Sequence, residues 1–183
     1  MRTFGAVTAR IYSWLHGRSP ANRIVLDALD LRADDRVLEV GCGPGTAVAL
    51  AAERIGADRV AAVDPSPTFV DMVRERVPGA DVQVGGAEKL PFEDGSFTAI
   101  FSIKSMHHWP DRDAGLAEQV AKLAPGGRLL VAELFLKRPG HGITAGQTAE
   151  VVARLEALGM SDVRTTAERA NRRKTLQIIH ATR

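Results

Sequence analysis

The chain has 183 residues with 45% hydrophobic and 25% charged content, enough for a substantial core and ordinary for a globular protein. No stretch approaches the roughly 18 uninterrupted apolar residues of a membrane span, and the N-terminal "MRTFGAVTARIYSWLHGRSP" is too broken for a secretory leader. Cys42 is the only cysteine, which excludes a disulfide framework within the chain and argues against a cysteine-built zinc site; no metal is expected, and a reducing cytoplasm fits.

The net charge of +2 is too small for a surface that attracts nucleic acid as a whole. The excess is uneven, because Met160 to Arg183 carries six Lys/Arg against two Asp/Glu, mostly within "ERANRRK". A solvated hairpin tip explains it, and a patch for an anionic substrate or RNA is the alternative.

In chain order, residues 1–33 are expected to form a helical lid segment and residues 34–183 a core, together one domain. In the lid, Tyr12 and Trp14 either fold over a ligand or form the apolar face of a surface helix. "ANRIVLDALDL" has helical spacing, and "RVLEVG" then reads as a short buried strand. "AVALAAERIGA" predicts a helix stopped by Gly56, and "RVAAVD" a second buried strand ending in Asp64. "SPTFVDMVRERVP" predicts a helix with Ser66 as N-cap and Pro67 in its first turn.

"ADVQVG" and "SFTAIFSI" read as strands three and four, with a helix from about Asp111 to Leu123 after them. "GGRLLVAELFL" follows the breaker "APGG" as strand five, and "TAEVVARLEALG" predicts a helix. "MSDVRTTAER" and "KTLQIIHAT" lie too close for a helical crossover and should pair antiparallel. The whole predicts an α/β fold: a Rossmann-like doubly wound sheet of seven mostly parallel strands, an antiparallel C-terminal hairpin and helices on both faces.

The turn "VLEVGCGPGT" carries glycines at 41, 43 and 45, where the first helix opens. Lacking a Cβ, they can adopt positive φ and let a ligand lie against the main chain. A dinucleotide wants G-x-G-x-x-G, whereas position 46 here is Thr. Glu39, two places before Gly41, would repel a pyrophosphate but welcome an ammonium. Asp64, 19 residues after Gly45, can accept from a ribose diol. A ribose with a cationic amino-acid portion describes S-adenosylmethionine better than a nicotinamide dinucleotide.

"VLEVGCGPG", "AVDPS", "GGAEKLPFEDGSFTAIFS", "HHW" and "LAPGGRLLVAE" come in the order and spacing of a known family. From about Leu31 to Glu133 the chain resembles class I S-adenosylmethionine-dependent methyltransferases. It looks most like the methyltransferase type 11 group, which includes ubiquinone and menaquinone biosynthesis methyltransferases. The resemblance implies that Glu39 and the backbone through Gly41, Cys42, Gly43 and Gly45 surround the methionyl part, and that Asp64 holds the ribose. Pro65 and Ser66 would border the adenine, Ala87 and Glu88 would meet its edge, and Ser102 and Ile103 would lie under the sulfonium. Gly86 stands where the family often has an aspartate that accepts from the adenine amino group, a contact that Glu88 or water would have to replace. The Cys42 side chain reads as packing rather than as a reactive thiol.

"SMHHWPD" offers acid–base chemistry, because His107 and His108 follow strand four at the edge where a methyl acceptor should lie. A neutral imidazole could take the acceptor's proton, with His107 slightly favoured; otherwise one histidine orders the loop and the other packs near Trp109. Lys104 is either a solvated or capping charge or an acceptor contact. The connection "FLKRPGHGITAG" is short, so it would cover little of a substrate. The function expected is methyl transfer to an O, N or C nucleophile of a small molecule. The alternatives are an RNA or protein methyltransferase using the basic hairpin, and a non-catalytic S-adenosylmethionine-binding protein.

Overall fold

The structure is a computed structural model and describes residues 20–183. The expected lid helix with Tyr12 and Trp14 lies outside the described residues. Helix α1 (Ala21–Leu29), inside the segment read as a lid, is instead packed into the core through Val25, Leu26 and Leu29.

A seven-stranded sheet follows: β1 (Val37–Val40), β2 (Val60–Asp64), β3 (Asp81–Val84), β4 (Phe97–Ile103), β5 (Leu123–Leu134), β6 (Ser161–Asn171) and β7 (Lys174–Thr182). Its order is β3-β2-β1-β4-β5-β7-β6, parallel from β3 through β5, with β7 antiparallel to both β5 and β6. The strand order reverses between β1 and β4, where a doubly wound sheet opens a crevice at its carboxyl edge.

Strand alternation sends consecutive apolar residues to opposite faces. Val37, Ala62, Leu130 and Ile178 pack beneath α1, α2 (Thr46–Ile55) and α3 (Pro67–Arg76). Leu38, Ala61, Leu129 and Ile179 pack beneath α4 (Arg112–Lys122) and α5 (Ala145–Ala157). The helix ends follow local chemistry. Asp111 accepts from the Ala114 amide at the start of α4, and Thr144 with Gln147 makes a reciprocal capping box on α5.

Two local expectations change. Strand β5 does not wait for "APGG" but starts at Leu123, with a register shift between the Phe97 and Ala99 pairings; Gly127 is required there, because a Cβ would lie 2.8 Å from the Ala124 carbonyl. Ser66 occupies the N-cap of α3, yet its side chain makes no cap bond; the Ser66 amide donates to Asp64 Oδ1 instead.

At the amino ends of the strands, Asp35 accepts from the Arg32 amide (2.7 Å), the Thr98 hydroxyl (2.7 Å) and Arg128 Nη2 (2.5 Å). Arg128 Nε also donates to the Leu29 carbonyl, so one buried carboxylate ties α1, β4 and β5 together. Burial alone would raise the Asp35 pKa, but these three donors hold it below its ordinary value.

Candidate active site

The glycine turn divides its work. Gly41, Gly43 and Gly45 all have positive φ, at 78°, 51° and 74°. A Cβ on Gly41 would fall 1.8 Å from Ser105 Oγ, and one on Gly45 would fall 2.5 Å from a Val73 methyl. These two glycines therefore admit the protein's own β4–α4 loop and helix α3. Only at Gly43 would a Cβ meet nothing within 4 Å. Of the three, Gly43 alone leaves its backbone open to a ligand.

Around that opening, three strands present polar groups. Glu39 on β1 is 3% exposed and its Oε2 has no partner. Burial, then the Asp64 carboxylate, pushes its pKa well above the ordinary value, against a single opposing backbone hydrogen bond from Val48. Asp64 at the end of β2 accepts from the Gly43 amide (2.8 Å) and the Ser66 amide (2.9 Å), and burial raises its pKa as well. Ser66 Oγ and Ser102 Oγ, at the ends of β2 and β4, are buried without partners, and Ile103 beside them is buried. Among the described residues, three of the five unpartnered buried side-chain atoms thus lie along this one edge. Each such atom costs about 1–3 kcal/mol unless something pairs with it.

Cys42 is buried and its thiol is pushed up, first by burial and then by Glu39 and Asp64, as packing rather than reactivity requires. Pro65 is exposed and Ala87 buried. A Cβ on Gly86 would lie 2.9 Å from Glu88 Oε2, so the Glu88 carboxylate folds into the space a residue 86 side chain would fill. Glu88 Oε1 meanwhile accepts from the Asp111 amide.

Across the crevice, the loop after β4 turns at Lys104, whose φ is 52°, into a short 3-10 turn at Met106–His108. His107 Nδ1 donates to Glu133 Oε2 at 2.8 Å, and its backbone amide donates to Glu133 Oε1. Glu133 is 1% exposed, at the carboxyl end of β5. With the carboxylate ionised, the bonded proton sits on Nδ1 and the lone pair of the neutral ring on Nε2. His108 stacks at 4.0 Å between ring centroids, and His141 lies 5.6–5.7 Å from both rings. Burial, then the neighbouring His107 and His141, lowers the His108 pKa. Trp109 Nε1 donates to Ser105 Oγ and its ring lies against Gly115 of α4. Lys104 is half-buried, and burial followed by the nearby Lys174 lowers its pKa. That proximity, and the Leu134–Leu176 register, puts the basic turn Arg172–Arg173 at this same edge.

Sequence reasoning named His107 but neither its partner Glu133 nor His141. A lone acid inside the apolar run "LLVAEL" was the available signal for Glu133.

The family profile described as "Methyltransferase domain", type 11, matches residues 38–131. The chain belongs to the methyltransferase domain family. Over 111 residues the methyltransferase domain is 40% identical to the demethylmenaquinone methyltransferase of Beutenbergia cavernae, covering 61% of this chain and 45% of that one. It is 32% identical over 123 residues to the 27-O-demethylrifamycin SV methyltransferase of Amycolatopsis mediterranei, covering 64% and 45%. A SAM-dependent methyltransferase from Aquifex aeolicus shares the fold at a TM-score of 0.75 and 18% identity, over 98% of this chain and 99% of that one. The chain spans 33–47% of the length of most of the curated relatives it matches.

Proposed function

We propose that the protein binds S-adenosylmethionine along the carboxyl edge of β2, β1 and β4 and methylates a small molecule held beside the β4–α4 loop. The observation that carries this reading is the unpartnered, buried Oε2 of Glu39 near the open backbone at Gly43. A nicotinamide dinucleotide would bring a pyrophosphate to an edge already carrying two raised carboxylates, whereas an ammonium relieves it.

When bound, S-adenosylmethionine supplies a methyl group on a positively charged sulfur that leaves readily. Glu39 would take the ammonium, and the Gly41–Gly45 backbone would line the methionyl part. Asp64 already accepts two amide bonds, but an ionised carboxylate has about four acceptor positions, so capacity for a ribose diol remains. Pro65 and Ser66 would border the adenine, with the Ala87 amide and Glu88 at its edge. Glu88 fills the place of the aspartate missing at Gly86 and would accept from the amino group. Ser102 and Ile103 would form the floor under the sulfur.

On the acceptor side, Glu133 orients His107 so that the Nε2 lone pair is free to act on an acceptor hydroxyl or a similar group. Alignment of the acceptor can supply about 7–11 kcal/mol, so most of the protein's work is positioning. The names of the rifamycin and menaquinone relatives support a small-molecule acceptor. No described helix is long and apolar enough to cross a membrane, and a single buried thiol suits the cytoplasm. The basic turn at this edge favours a second reading with RNA as acceptor, whose binding would weaken steeply with salt.

The test is calorimetry with S-adenosylhomocysteine and NADH, followed by transfer of labelled methyl groups from S-adenosylmethionine into a small-metabolite extract. Binding of the adenosyl compound but not NADH, and label in a small molecule, are expected. Gly43→Ala, the smallest side chain that enters this space, should weaken binding at least tenfold; its φ of 51° strains any side chain, so circular dichroism must show the fold retained. NADH binding in place of the adenosyl compound would end the proposal.

A further inference from the structure

The connection from β5 to α5 is short, but its course is strictly set. Phe135 bridges Ile143, the Leu136 amide donates to the Ile143 carbonyl, and the Ile143 amide donates to the Leu134 carbonyl. Ile143 is 1% exposed and anchors the loop in the core. Gly142 has no room for any side chain, because a Cβ would lie 2.2 Å from the Leu134 carbonyl. This pinned return presents His141, flanked by Gly140 and Gly142, back over the carboxyl end of β5. There it meets His107 and His108, which follow the neighbouring strand β4.

The result is three imidazoles, from two separate loops, whose ligand nitrogens lie within 4.8 Å of one another. Around a tetrahedral ion with bonds of about 2.0–2.1 Å, such nitrogens would stand roughly 3.3 Å apart. His108 and His141 are exposed, so ring rotation can close the difference. His107 is the fixed member. Its Nδ1 is already committed to a buried carboxylate, the arrangement that orients and strengthens metal-binding histidines. Among the described residues, no hydrogen bond or ion pair engages the rings of His108 or His141, so both are available as ligands.

We propose that His107 Nε2, His108 and His141 bind one divalent transition-metal ion, with Zn²⁺ the best fit, and that its fourth position takes an ionisable oxygen of the methyl acceptor. Three imidazoles and an open position form the ligand set of catalytic rather than structural zinc. A hydroxyl coordinated there loses its proton to solvent while its oxygen lone pair fills the open position, so the metal replaces a free imidazole as the means of activating the acceptor. This departs from the expectation of no metal, under which one of His107 and His108 is a base or the two order the loop and pack near Trp109. The metal site stands on its own geometry; the acceptor's role there rests on the methyltransferase reading.

The test uses the full, metal-stripped chain and Co²⁺ as a spectroscopic probe, with Zn²⁺ as competitor, in the absence of any cofactor. One equivalent of Co²⁺ giving the intense visible bands of a tetrahedral site, displaced by Zn²⁺, is expected. H141A and H108A, both at exposed positions, should each weaken Co²⁺ binding at least tenfold without moving the melting temperature. E133Q should weaken it about 10–100-fold and shift the bands, which a purely structural residue would not do. Absence of stoichiometric Co²⁺ binding, or binding unchanged in H141A, would overturn the proposal. Because no step of this test involves methyl transfer, its failure is distinct from failure of S-adenosylhomocysteine to bind.

Discussion

The two ends of the sheet treat buried charge in opposite ways. At the amino end, Asp35 is 3% exposed and accepts from three donors, one of them the guanidinium of Arg128. At the carboxyl end, Glu39 is equally buried, yet one of its oxygens has no partner and its nearest charge is another carboxylate. The first carboxyl is held below its ordinary pKa and the second is pushed well above it. A satisfied buried charge holds elements together, whereas an unsatisfied one stores a demand for a cation. The first end holds elements together, and the second is where the proposed cofactor would find its partner.

The largest effect that would break this contrast is at the stabilising end. Asp35→Ala should cost about 3 kcal/mol in chemical denaturation, the low end for a broken buried pair because Arg128 keeps a fifth of its side-chain surface in water. S-adenosylhomocysteine affinity of the folded variant should be unchanged. Asp35 has a depressed folded pKa, so its contribution is present above its unfolded pKa and disappears as pH falls through the folded one. A denaturation series from neutral to acid pH should therefore show the Asp35→Ala deficit shrinking.

Next is Asp64→Asn, which retains an acceptor for the loop amides but removes the charge. It should weaken S-adenosylhomocysteine binding at least tenfold in calorimetry, about 1.4 kcal/mol, with the far-ultraviolet circular dichroism unchanged. Glu39→Gln should do the reverse of Asp35→Ala. It should raise ligand-free stability by about 1 kcal/mol at neutral pH while weakening binding. The sign follows from a raised folded pKa: the wild-type penalty appears as pH rises above the ordinary glutamate value, so the gain should vanish in acid. The smallest effect is at Ser102. Its hydroxyl is buried and unpartnered, so Ser102→Ala should leave ligand-free stability undiminished and raise it by up to about 1 kcal/mol in chemical denaturation. A clear loss of stability in the ligand-free protein would show that the hydroxyl is already satisfied.

Much of this was legible beforehand where the signal was local. The acids in "LE" and "VD" and the alternation of strand and helix patterns announced that Glu39 and Asp64 lie on the first two strands of a doubly wound sheet. Positive φ at all three glycines of the turn was foreseeable, but Gly41 and Gly45 answer to Ser105 and Val73, residues 64 and 28 positions away, and no local pattern announces such neighbours. The same is true of Glu88, whose carboxylate lies where a residue 86 side chain would stand.

The sequence by itself determined the order of elements, the apolar faces and the identity of the acids at the strand ends, because periodicity and turn chemistry act over a few residues. Only the tertiary structure decided which charges are paired and which are left waiting. Asp35 meets Arg128 because β5 lies beside β4, and His141 meets His107 and His108 because Gly142 and Ile143 pin a loop across the sheet edge. Electrostatic and ligand-binding character depends on distance in space, and strand order and loop closure set that distance.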